Sequence, residues 1–98
     1  MTARPSSPLL RDTARIALRM ERPDAGVRFL RAVDETVRNL LEHPELGRQR
    51  PDVKPGLHSW RVEGFSNWLI FYRIKGPQLR LVRLLHGARD LPRAVQRH

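Results

Sequence analysis

Arg61, Arg73, Arg83, His86 and Arg89 are the residues of this chain whose types could do chemistry on a phosphodiester. They fall on or beside successive apolar segments that alternate like β-strands. Guanidinium groups converging on a sheet face could hold phosphates through paired hydrogen bonds. An imidazole among them could move a proton. A metal-free ribonuclease using Arg61, Arg73, Arg83 and His86 is therefore one reading. The plainer reading, which we prefer, is that the arginines are solvated or meet an acidic partner and that His86 ends a strand. Trp60, Phe65, Trp68 and Tyr72 could stack on the bases of a single strand. In a chain with so few aromatics they fit a core or an interface better.

Other chemistry lacks its residues. There is no cysteine, so no disulfide, thiolate nucleophile or thiolate metal site. Gly-rich phosphate loops, GxSxG and HExxH are absent. His43, His58, His86 and His98 are scattered, without metal-ligand spacing, and His43 precedes Pro44, where a histidine commonly meets free helix carbonyls. No metal and no cofactor is expected.

The elements that must position these residues form two groups. Ser7-Pro8 opens a helix, serine as N-cap and proline in the first turn. Leu10, Ala14, Ala17 and Leu18 make its apolar stripe, and Pro23 ends it near Arg22. A second helix starts at Pro23 or Asp24, carries Val27, Leu30, Val33, Val37, Leu40 and Leu41, and stops at Pro44. The two make a hairpin over 7–43 whose thin apolar faces must each lie against something else. Residues 44–56, with three prolines and two glycines, are a loop by composition. Strands follow over 57–86. Leu57–Glu63 alternates, and Gly64–Asn67 turns. Trp68–Ile74 is apolar on both faces, hence central. After a turn at Lys75–Gln78, Leu79–His86 places Leu79, Leu81 and Leu85 on one face, Val82 and Leu84 on the other. The fold class is α+β, a helical hairpin packed on a small, mostly antiparallel sheet, as a single domain over 1–98.

The net charge of +9 points to a polyanionic partner, either nucleic acid or an acidic protein. Residues 51–98 carry 9 basic and 3 acidic side chains against 10 and 7 in residues 1–50, so the C-terminal half is the more cationic. No apolar run approaches the roughly 20 residues that span a bilayer, and the N-terminus lacks the apolar centre of a signal peptide. A cytoplasmic location without membrane attachment is expected.

In order along the chain, Ser7-Pro8-Leu9-Leu10-Arg11-Asp12, Pro23 to Leu30, His43-Pro44-Glu45-Leu46-Gly47-Arg48, Leu69 to Arg73 and Leu85-His86-Gly87-Ala88-Arg89-Asp90-Leu91 resemble the RelE/ParE toxins of bacterial type II toxin–antitoxin systems, nearest to the ParE branch. The family has a short edge strand at the N-terminus, where residues 1–7 show no strand pattern. RelE-like members cleave mRNA on the ribosome, whereas ParE members poison DNA gyrase. RelE-like nucleases bring a lysine pair where this chain offers Arg61, and Gly-Tyr-Arg where it has Asn67-Trp68-Leu69. They also have a tyrosine after the last strand, but residues 92–98 hold none, leaving Arg89, His86 or His98 as substitutes. The resemblance therefore implies a ParE-like gyrase inhibitor, not an enzyme, neutralised by a cognate acidic antitoxin. The alternatives are a RelE-type ribosome-dependent endoribonuclease and a basic nucleic-acid-binding module. Arg61, Arg73, Arg83, His86 and Arg89 are candidates for contact with target or partner. Leu10, Ala14, Leu18, Val27 and Leu30 are candidates for the groove that receives the antitoxin.

Overall fold

The computed structural model of the chain describes residues 1–91. A five-stranded sheet has the order β1-β5-β4-β3-β2. It comprises β1 (Thr2–Pro5), β2 (Arg48–Gln49), β3 (His58–Val62), β4 (Phe65–Lys75) and β5 (Gln78–His86). Between β1 and β2 lie α1 (Ser7–Leu18), α2 (Pro23–Glu42) and a 3-10 turn at Pro44–Leu46. β1 runs parallel to β5, and the other neighbours are antiparallel. The α+β expectation holds, and β4 is the central strand.

Residues 1–7 correct the sequence reading. Their composition does not favour a strand, but Thr2–Pro5 pairs with Gln78–Leu81 and Ala3 packs on the core. Tertiary pairing overrides weak local preference. The loop over 44–56 likewise contains a 3-10 turn and the two-residue β2, paired with His58 and Ser59.

Helix α1 is shorter than expected, ending at Leu18. Its N-cap is Ser6 rather than Ser7: the Ser6 Oγ accepts from the Leu9 N–H at 3.1 Å and donates to the Val82 carbonyl at 2.7 Å. The core-facing residues of α1 are Leu9, Asp12 and Ile16, not Leu10, Ala14 and Leu18. On α2, Phe29, Val33, Thr36 and Leu40 are buried. Val33 and Leu40 were in the predicted stripe, but Val27 and Leu30 lie outside the core.

The main core lies between the helices and one sheet face: Leu9, Ile16, Phe29, Val33, Leu40, Val62, Ile70, Tyr72, Leu79, Leu81 and Leu84. A smaller cluster on the far face joins Phe71 to Val53 and Leu57, with Leu69, Val82 and Leu85 against it. This two-sided burial explains why β4 is apolar on both faces. The assignment of faces on β5 needs one correction. Register shifts between Phe71 and Tyr72, which face Arg83 and Leu81 respectively, leaving Val82 as the extra residue of a bulge. Beyond a bulge the alternation is reset, so Leu84 joins the helix side and Leu85 the far side. The first hairpin turn is also earlier than predicted. It uses Glu63-Gly64, with Gly64 at φ +77°, and β4 already begins at Phe65.

Candidate functional site

β1 stops opposite Leu81, so the outer edge of β5 is open from Val82 onward. Backbone groups buried there need partners, and α1 with its N-cap supplies two. Ser6 takes the Val82 carbonyl, and the Asp12 carboxylate accepts from the Leu84 N–H at 3.0 Å. Asp12 is 3% exposed. It also accepts from Arg83 Nε at 2.7 Å, from Arg83 Nη2 at 3.2 Å and from Arg15 Nη2 at 3.1 Å. Of the four hydrogen bonds to this buried carboxylate, the three from Arg83 and Leu84 fasten α1 to β5, and the one from Arg15 lies within α1. The hydrogen-bonded Asp12 raises the Arg83 pKa further, against the effect of burial. Arg83 is thus committed to the fold.

Fastened this way, α1 turns its remaining apolar stripe outward beside α2. Exposure is 55% at Leu10, 85% at Leu18, 51% at Val27 and 46% at Leu30. These four, with Ala14, Ala17 and Gly26, line an apolar cleft of about 540 Å³ between the helices. Gly26 lets the helices close: a Cβ there would sit 2.7 Å from the Ala17 carbonyl oxygen. All five predicted groove residues meet in this one cleft. A large side chain gains roughly 1.5–3 kcal/mol on full burial, so a covering partner has much to gain here. Arg11 and Arg22, exposed on or beside these helices, take no carboxylate partner among the described residues.

The candidate sheet residues do not converge. Arg61 faces Leu69 across β3 and β4, and Leu69 packs on the far side. Its guanidinium lies 4.6 Å from the Trp60 ring centroid. Arg73, next to the core residue Tyr72, is also on the far side and donates to the Pro55 carbonyl at 2.8 Å. His86 faces Trp68, which packs on the helix-side core. The imidazole meets the indole edge-on at 5.0 Å, and its Nδ1 accepts from the Arg89 N–H at 3.1 Å. Arg89 lies 5.4 Å from the Trp68 ring and pairs with Asp90 at 3.3 Å. Partial burial disfavours ionisation of Asp90, but the His86 N–H and the Arg89 guanidinium outweigh it and lower the carboxyl pKa. Arg73 therefore stands across the sheet from His86, Arg61 lies beyond β4 from it at the open edge of β3, and Arg83 is held by Asp12. His98 lies outside the described residues. No group of acidic and histidine side chains with metal-binding geometry occurs among the described residues.

Residues 4–91 match the family described as the ParE toxin of type II toxin–antitoxin system, parDE. The chain belongs to the ParE toxin family. One ParE relative, Toxin ParE3 of Caulobacter vibrioides, is 32% identical over 62 residues, or 63% of this chain and 59% of that protein. The chain thus spans less than two thirds of that relative's length. A solved structure, from the chromosomal ParDE TA system of P. aeruginosa, shares the fold with a TM-score of 0.73 at 19% identity. It covers 88% of this chain and 95% of its own. Among the described residues of this ParE-family chain, no helix is long and apolar enough to cross a membrane.

Sequence reasoning missed three ParE-fold contacts. Arg50, 6% exposed, grips Asp52 through Nε and Nη2 at 3.0 and 2.8 Å and reaches Ser59. It pins the 50–57 segment over the far face. The Tyr72 hydroxyl donates to the Pro44 carbonyl at 2.6 Å and accepts from the Gly47 N–H at 2.9 Å. It clasps the chain leaving α2. Asp12 had a signal, its helical spacing between Leu9 and Ile16. Arg50 and the Tyr72 clasp had none, because their partners are set by loop conformation.

Proposed function

We propose that this chain is a toxin held inactive by a cognate acidic antitoxin and that, when free, it inhibits DNA gyrase. The observation that carries the first part is the exposed apolar cleft between α1 and α2. An amphipathic helix laid into such a groove reads out as anchors at helical spacing. The net charge of +9 suits an acidic partner. The family supports the toxin role, and inhibition of gyrase follows from its ParE rather than RelE character. The separation of Arg73 from His86 across the sheet, and of Arg61 from His86 by the width of β4, favours a toxin that acts by binding over one that cuts RNA. Such a target places the protein in the cytoplasm.

The test adds antitoxin-free protein to a gyrase supercoiling assay and to a ribosome-programmed mRNA cleavage assay. Loss of supercoiling with intact mRNA is expected. Intact supercoiling with cut mRNA overturns the gyrase assignment. The antitoxin half has its own check. The neighbouring reading frame should encode a small acidic protein, and its purified form should restore supercoiling.

A further inference from the structure

The register of three adjacent strands places Arg4 of β1 opposite Arg80 of β5, and Arg80 opposite Arg73 of β4. The next row outward pairs Thr2 with Gln78 and Gln78 with Lys75. Alternation puts all six on one face. Ala3, Leu79, Leu81 and Tyr72, interleaved with them, point to the helix-side core, so these six point away from it. Neighbouring strands lie about 4.7–4.9 Å apart, and directly opposed side chains have Cβ atoms roughly 4.5–5.5 Å apart. Three guanidiniums therefore stand in a line across the sheet, with an ammonium beside them.

Like charges directly opposed in a sheet are destabilising. Nothing in the described residues relieves this row, because Arg4, Arg73, Arg80 and Lys75 make no ion pair there. The arginines are also under-used as donors. Arg80 bonds the Gln78 side chain at 3.3 Å and Arg73 the Pro55 carbonyl at 2.8 Å, out of five N–H groups on each guanidinium. A shallow cleft of about 500 Å³ runs beside them, lined by Arg4, Ser6, Arg73, Gln78 and Arg80 among others.

We infer that this face is a binding site for the phosphate backbone of a nucleic acid, independent of the antitoxin groove on the helices. The choice of phosphodiester over an acidic peptide rests on composition. Protein interfaces depend on apolar anchors in desolvated pockets, and none of the exposed large apolar side chains lies in these two rows. Closely spaced cations with amide and hydroxyl donors are instead the groups that contact backbone phosphates without reading bases. The site lies on the face opposite α1 and α2, so it stays open when the groove is filled.

The probe is a labelled DNA duplex of about 20 base pairs, titrated with the chain alone at a series of salt concentrations starting near 50 mM. The doubly substituted Arg4→Gln/Arg80→Gln protein should weaken binding at least tenfold at the lowest salt. It should also lower the slope of log K against log salt by about 2, one for each phosphate no longer neutralised. Arg31→Gln/Arg38→Gln removes the same charge from the exposed face of α2 and should leave both within about twofold, because phosphate recognition is local. The Gln pair should melt no lower than the parent, since it relieves repulsion. If it does melt early, Arg80→Gln alone carries the same test, with a slope change of about 1. Equal weakening in the two double variants, or an unchanged slope in Arg4→Gln/Arg80→Gln, overturns the inference. Tighter binding to a polyglutamate chain than to the duplex would also overturn it, by marking the face as an acidic-peptide site.

Discussion

Single side chains hold this fold at the points where its backbone would otherwise lack partners. Asp12 is the clearest case. Replacing it with alanine strands the Leu84 N–H and leaves Arg83 without its bidentate partner. Breaking a fully buried pair costs about 3–5 kcal/mol. The Arg83 side chain is 39% exposed, so water recovers part of that cost. We expect Asp12→Ala to lose about 2–3 kcal/mol in urea unfolding, with an unchanged m-value. Tyr72 offers a second test, in pH. Burial raises its hydroxyl pKa, opposed by the Gly47 N–H and assisted by Glu45. A raised folded-state pKa means that the fold prefers the protonated phenol. That contribution is complete below the ordinary value of 10.0 and is lost as pH rises above it. Melting temperature should therefore fall above that pH more steeply in the parent than in Tyr72→Phe. At neutral pH the Phe variant should itself be about 1–3 kcal/mol less stable, because the buried Gly47 N–H loses its partner.

At the scale of elements, α1 serves two surfaces at once. Its inner face, Leu9, Asp12 and Ile16, completes the core and the open edge of β5, and its outer stripe forms half of the apolar cleft with α2. Substitutions in the cleft should therefore change partner affinity and leave stability alone. Leu18 is 85% exposed, so Leu18→Glu should leave the unfolding free energy within about 0.5 kcal/mol of the parent. The same change should weaken antitoxin binding at least tenfold by calorimetry, since a missing anchor is worth roughly 1.5–3 kcal/mol. Gly26 behaves differently. A side chain there meets the Ala17 carbonyl, so Gly26→Val should both destabilise the hairpin and reshape the cleft.

The whole molecule separates its surfaces by face. The apolar cleft is on the helical side, and Arg4, Arg73 and Arg80 are on the other face of the sheet. Arg61 extends along the open edge of β3 to the Trp60 ring, while His86 lies on β5, with β4 between them. An active site that needs both would have to span β3, β4 and β5. We therefore expect Arg61→Ala and His86→Ala each to retain growth inhibition in a cell-based toxicity assay. Loss of toxicity in both, with the fold intact by circular dichroism, would restore the nuclease reading.

Local pattern by itself determined the helical hairpin, the central position of β4 and the two hairpin turns in outline. Each depends on spacing along the chain, as with the apolar residues on both faces of Trp68–Ile74. Only the tertiary structure decided which side of each element faces inward. Both stripes of α1 are compatible with periodicity, and the choice fell to Leu9, Asp12 and Ile16 because the open edge of β5 needed Asp12. The β1 strand exists because Gln78–Leu81 offers it a paired edge, not because Thr2–Pro5 prefers to be extended. The bulge at Val82 moved Leu85 to the far side, a change of one residue that alternation cannot foresee. The arginine candidates were separable only once the strands had a register, because proximity across a sheet depends on pairing between segments distant in sequence.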